Sequence, residues 1–108
     1  MRLVFIGDVV GGTGRRALEA VMPELRSRYE PDFLVVNGEN AAGGLGITEK
    51  IARDWLAGGI DAITLGNHAY KQRDVHEFLD REERIVRPAN YPRGNPGRGT
   101  TVVSGEAG

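Results

Sequence analysis

The sequence has no cysteine, which excludes disulfides and thiolate sites, so any metal here would be held by oxygen donors and imidazole. Imidazole is scarce too, with 2 histidines in the chain, His68 and His76. Charge of one sign is also lacking: 14 Lys and Arg nearly balance 15 Asp and Glu, for a net charge of -1. Without a basic block there is no strong signal for a nucleic-acid backbone. Long apolar runs are missing as well. The run before Gly7-Asp8 holds only Leu3-Val4-Phe5-Ile6, too short for a secretory-signal core. Nothing approaches the roughly 18 apolar residues of a membrane span, so no membrane partner is expected and a cytoplasmic location is the default. With 108 residues and no low-complexity tract, the chain is one domain at most.

What is present is a regular alternation. Leu3–Ile6 and Phe33–Val36 are apolar runs with the look of buried parallel strands, and Ile60–Leu65 reads as a third. Between the first two, Leu18, Val21, Met22, Leu25 and Tyr29 recur at helical spacing from Gly14 to Tyr29, and Pro31 stops the segment. Thr48 is a plausible N-cap for a second helix carrying Ile51, Trp55 and Leu56, which Gly58-Gly59 ends. Gln72 to Glu83 reads as a third helix, Ile85-Val86 as a short strand and Thr100–Val103 as the start of another. The order β-α-β-α-β-α predicts an α/β fold with parallel strands and right-handed crossovers.

The three main strands end alike, in Gly7-Asp8, Gly38-Glu39-Asn40 and Gly66-Asn67-His68. Asp8 and Glu39 are 31 residues apart, and Glu39 and Asn67 are 28 apart. That is about one βαβ repeat of roughly 30 residues, so parallel strands would bring all three ends to one edge of the sheet. In open α/β sheets the carboxyl edge is where ligands bind. Asp8, Glu39, Asn40 and Asn67 offer two carboxylates and two amide carbonyls, a donor set suited to hard or borderline divalent ions, and a carboxylate such as Glu39 can bridge two of them. Paired cations would clamp a phosphoryl group, and His68 has the chemistry to donate a proton to the leaving oxygen. Taken singly, Gly-Asp and Asn67 are ordinary turn chemistry and His68 an ordinary histidine. Three strand ends with oxygen donors at βαβ spacing are harder to explain that way.

The stretches GDVVG, NGENAAGG, TLGNHAY and VRPANYP resemble the YmdB-like branch of the calcineurin-like metallophosphoesterases, from Met1 to about Thr101. The resemblance implies a metallophosphoesterase sandwich, of which residues 1–108 would be the N-terminal half: a parallel βαβαβα sheet with the second half of the fold missing. It also implies two divalent ions of iron or manganese type, Asp8 and Asn40 on one, Glu39 bridging, Asn67 on the second, and His68 as proton donor. The implied reaction is hydrolysis of phosphodiesters, cyclic nucleotides among the substrates, by homo-oligomers. Val10 stands where many calcineurin-like enzymes have histidine, and Asn40 takes over that ligand role. Ala69-Tyr70-Lys71 departs from the small residue, Trp and Asp that usually follow GNH in this branch. Family members are more than twice as long and bring three further histidine ligands. The chain is therefore expected to be a fragment, weak in metal binding and inactive alone, with exposed apolar surface.

Two other readings compete. Gly12-x-Gly14-x-x-Ala17 imitates a dinucleotide fingerprint and suggests a Rossmann-like half, although the strand ends about five residues too early. A non-catalytic binding module would use Trp55 and Tyr70 as contacts, although Trp55 shares a helical face with Ile51. Arg15 and Arg16 are candidates for meeting a phosphate, or simply a solvated helix end. His76 reads as a surface or packing histidine. Asn90 lies in a Pro-rich loop, and Gly43-Gly44 with Gly46 form a flap or a plain connection.

Overall fold

In a computed structural model that describes residues 1–105, the apolar runs become strands β1 (Leu3–Ile6), β2 (Phe33–Asn37), β3 (Ala62–Thr64) and β4 (Ile85–Val86). They alternate with helices α1 (Gly11–Tyr29), α2 (Glu49–Ala57) and α3 (Val75–Arg81). All pairings are parallel and the strand order is β1-β2-β3-β4. Each crossover therefore steps one strand in the same direction, and right-handed crossovers then set the helices on one face.

The register explains why that face holds the core. Ile6 pairs with Val36, Val36 with Ile63 and Ile63 with Ile85, giving an aliphatic ridge across all four strands. Val36, Ile63 and Ile85 are each 0% exposed. Trp55 and Leu56 of α2 and Phe78 and Leu79 of α3 belong to the same buried cluster. On the other face Leu3 and Phe5 remain 61% and 57% exposed. This is the exposed apolar surface expected from sequence, and β1 is also an unpaired edge.

Helix boundaries shift for local reasons. α2 starts at its expected cap, where Ile51 N–H donates to Thr48 Oγ1 at 3.2 Å. α1 begins three residues earlier than its apolar period, at Gly11, so Gly12-x-Gly14 lies inside its first turn. A Cβ on Gly14 would sit 3.2 Å from Val9 Cγ1, so glycine lets α1 seat closely on Val9. Of the expected inner face of α1 only Leu18 is buried, while Val21 and Tyr29 are 41% and 48% exposed. β1 is the last strand of the sheet, and among the described residues nothing beyond it covers the outer flank of the helix. The third helix is shorter than Gln72 to Glu83, because Gln72 and Arg73 belong to turns closed by Val75 N–H and His76 N–H. Thr100–Val103 does not form a strand, and Val102 is 90% exposed.

Candidate functional site

The carboxyl ends of β1, β2 and β3 meet in one open cleft of about 370 Å³, lined by Phe5, Gly7, Asp8, Asn37, Glu39, Asn40, Asn67 and His68. All five residues singled out in the sequence are there. Parallel pairing in sequence order makes this convergence unavoidable once each strand ends on its donor.

Asp8 has φ 44°, a left-handed conformation that Asp tolerates better than most L-residues and that turns the chain sharply after β1. Gly11 N–H donates to Asn40 O at 3.0 Å, tying this turn to the loop after β2. Gly38 is buried at the end of β2, where a Cβ would come within 2.9 Å of Ile47 Cδ1 and 3.0 Å of Trp55. The Glu39 carboxylate then lies over Gly66, and a side chain at Gly66 would collide with it. Past β3, Ala69 N–H donates to Gly66 O at 3.0 Å and Ala69 is 0% exposed, which anchors the turn presenting Asn67 and His68.

A short chain of hydrogen bonds links three strand ends. Asn40 Nδ2 donates to Asp8 Oδ1 at 2.6 Å, and Asn40 Oδ1 lies 2.5 Å from His68 Nδ1. A carbonyl can only accept, so His68 carries hydrogen on Nδ1 and keeps Nε2 for another partner. The reverse amide orientation would set Asn40 Oδ1 against a carboxylate oxygen, so the donor pattern fixes the assignment.

Asn37 is a cleft residue that sequence reasoning missed. Its Nδ2 reaches Glu39 Oε1 and Thr64 Oγ1, both at 3.4 Å, while its Oδ1 is buried without a partner. The signal was a polar residue ending an apolar strand, which reads equally well as the start of a turn. Among the described residues no group of three or more His, Cys, Asp or Glu is arranged to hold a metal. The cleft has two carboxylates, and its remaining oxygen donors are amides.

Other candidates lie elsewhere. Arg15 and Arg16 line a separate cleft between α1 and α2 with Lys50, Asp54 and Trp55, so neither joins Asp8. His76 is a packing histidine: Nε2 is 2.9 Å from Tyr70 O and its ring meets Tyr70 edge-on at 5.4 Å. Asn90 is exposed and does not line the cleft. The glycine loop is a wound connection, with Ala42 N–H on Gly46 O at 2.8 Å and Gly44 N–H on Asn40 O at 3.0 Å, between fully buried Ala41 and Ile47.

Tyr70, two residues beyond His68, donates its hydroxyl to Pro96 O at 2.7 Å. Burial pushes its phenol above the ordinary 10.0, opposed in part by the Arg87 guanidinium. A raised folded-state pKa means the neutral phenol is favoured by folding. Its contribution is full below the unfolded value and is lost as pH rises through the folded one. Tyr70→Phe should remove that alkaline loss of stability, as followed by urea denaturation from about pH 8 to about pH 11.

The chain is 48% identical over 103 residues to the 2′,3′-cyclic-nucleotide 2′-phosphodiesterase of Bacillus subtilis (strain 168), covering 95% of this chain and 39% of that protein. A solved structure of a hypothetical protein from Thermus thermophilus matches with TM-score 0.81 and 44% identity, over 92% of this chain and 38% of the other. A phosphatase from Mycoplasma pneumoniae matches with TM-score 0.81 and 32% identity, over 90% and 36%. The chain thus spans well under half the length of these relatives. A dinucleotide-binding half is set aside, since its glycines are helical and the relatives are named for phosphoester chemistry. Residues 4–108 match the family described as YmdB-like protein, and to that family this chain belongs.

Proposed function

We propose that residues 1–108 are the N-terminal half of a metallophosphoesterase domain and that this chain supplies Asp8, Glu39, Asn40 and Asn67 to a pair of divalent cations of iron or manganese type. The reaction is hydrolysis of phosphodiesters, cyclic nucleotides among them, with His68 as proton donor. The observation that carries this reading is the convergence of two carboxylates, three amides and one imidazole in a single cleft at the carboxyl edge of the sheet. The donor set fits hard or borderline divalent ions, and the orphaned Asn37 Oδ1 adds an oxygen with no protein partner.

When bound, such cations supply Lewis-acid stabilisation of a phosphoryl group and make water available as nucleophile. The chain's own residues do the rest. β2 lies between β1 and β3, so Glu39 follows the central of the three strands and would be the carboxylate shared by both cations, with Asp8 and Asn67 to either side. Asn37 holds one Glu39 oxygen through Nδ2 and limits its swing. Asn40 fixes the His68 ring by accepting from Nδ1, so the proton given to the leaving alkoxide comes from Nε2–H of the doubly protonated ring, which returns to the neutral Nδ1–H form. The exposed Leu3 and Phe5 support self-association into homo-oligomers, readable by sedimentation.

With 2 histidines and 39% of the Bacillus subtilis relative's length, this chain alone should bind Mn²⁺ weakly and hydrolyse a chromogenic phosphodiester slowly or undetectably. Supplying the remaining C-terminal part of that relative in trans should raise the rate. Asn67→Ala should lower both Mn²⁺ binding and the complemented rate, by about 10- to 100-fold. Equal binding and equal rates in wild type and variant would end the assignment.

A further inference from the structure

Arg87, directly after β4, is a buried charged side chain, 7% exposed. Among the described residues its guanidinium has no carboxylate partner. Nη1 donates to Pro88 O at 3.0 Å, Nη2 donates to Pro92 O at 3.4 Å, and Nε is buried without a partner. An unpaired buried cation is costly, so the contacts it does make call for a reason. The segment after Arg87 contains Pro88, Pro92 and Pro96 and forms neither helix nor strand. Pro88 O also accepts Tyr91 N–H at 3.2 Å and Pro92 O accepts Asn95 N–H at 3.0 Å, so each carbonyl closes a turn of the loop. The planar fork reaches both turns at once and ties them together.

The loop held in this way returns to the site. Pro96 O accepts the Tyr70 hydroxyl at 2.7 Å, and Tyr91 packs its ring against Tyr70 at 5.8 Å. Tyr70 lies within the turn that carries Asn67 and His68, which is closed by Ala69 N–H on Gly66 O at 3.0 Å and Lys71 N–H on His68 O at 3.2 Å. The path from the buried guanidinium to the His68 ring is therefore continuous: Arg87, the Pro-rich loop, Tyr70, then the turn.

We propose that Arg87 is a positioning residue: by gripping the Pro88 and Pro92 carbonyls it holds the loop against Tyr70 and, through Tyr70, sets the turn that presents Asn67 and His68. Its consequence for metal binding rests on the reading of the cleft given above, whereas the coupling between Arg87 and the turn does not.

The test compares Arg87→Met, Tyr70→Phe, the double variant and Arg87→Lys by amide hydrogen exchange, the ¹⁵N resonances of the His68 ring and Mn²⁺ titration. Arg87→Met and Tyr70→Phe should each speed exchange of the Ala69 and Lys71 amides by about fivefold or more and shift the His68 ring resonances, with β1 and α1 amides unchanged. The double variant should be no worse than the worse single one, because both act along one path. Arg87→Lys should restore only part, since an ammonium lacks the fork. Mn²⁺ affinity should fall several-fold in parallel. Altered exchange and ring shifts with unaltered Mn²⁺ binding would uphold the positioning role and refute the metal reading. A uniform loss of protection throughout the chain, or an unchanged turn in folded Arg87→Met, would overturn the proposal. If Arg87→Met does not fold, Tyr70→Phe decides, and an unchanged turn there overturns it as well.

Discussion

Gly66→Ala is expected to abolish Mn²⁺ binding as thoroughly as Glu39→Ala, while leaving the fold nearly as stable as before. Gly66 does not have a positive φ, so an alanine there carries no left-handed backbone strain. The obstacle is local. A Cβ at this position would occupy the space of the Glu39 carboxylate and touches nothing else so closely. A carboxylate at the end of a flexible side chain can move aside cheaply, so stability should change by less than about 1 kcal/mol. The displaced group, however, is the central one of the three strand ends. Removing it from the cleft should weaken Mn²⁺ binding by about 10- to 100-fold, beyond what calorimetry can follow in a site that is weak to begin with. The variant Gly66→Ala/Glu39→Ala should be no worse than either alone, because both remove the same ligand. Retained Mn²⁺ affinity in Gly66→Ala would mean that Glu39 is not where the metal binds.

Ile63→Ala should have the largest effect on stability. Ile63 is 0% exposed and pairs with Val36 on one side and Ile85 on the other, in the middle of the aliphatic ridge. Its Cγ2 also closes the space above Gly38, together with Ile47 and Trp55. Truncation there opens a cavity that neighbours on two adjacent strands cannot fill by moving together, at a cost of about 2–5 kcal/mol. A domain of this size has roughly 5–15 kcal/mol in all, so much of its stability would go. Urea denaturation followed by the emission of buried Trp55 reads the loss, and Val21→Ala, at a site 41% exposed, should stay within about 0.5 kcal/mol of wild type. Equal midpoints for the two variants would mean that the ridge is not the core.

The strands and their order of appearance were legible because parallel strands tend to be continuous apolar runs, and Leu3–Ile6, Phe33–Val36 and Ile85-Val86 stand out as such. β1 is nevertheless not the buried strand expected, since Leu3 and Phe5 stay exposed at the sheet edge. The second helix was equally readable, since Thr48 and Gly58 mark its ends chemically. The first helix was misjudged at its start because Gly11, Gly12 and Gly14 are poor helix formers in isolation, and only contact with Val9 and the loop after β2 justifies them. The strand expected at Thr100–Val103 had the right composition but has no strand ladder to join.

The sequence alone determined the chemistry of the rim: oxygen and imidazole donors with no thiolate, one set per apolar run, spaced a βαβ repeat apart, so that parallel pairing had to gather them. Tertiary structure decided what local pattern cannot express, because it depends on residues distant in the chain becoming neighbours. It placed Glu39 over Gly66, drew Asn37 into the cleft, kept Arg15 and Arg16 out of it, and joined His68 to Asp8 through Asn40. Periodicity reports which face of an element is apolar; only packing reports which polar atoms meet across the space between elements.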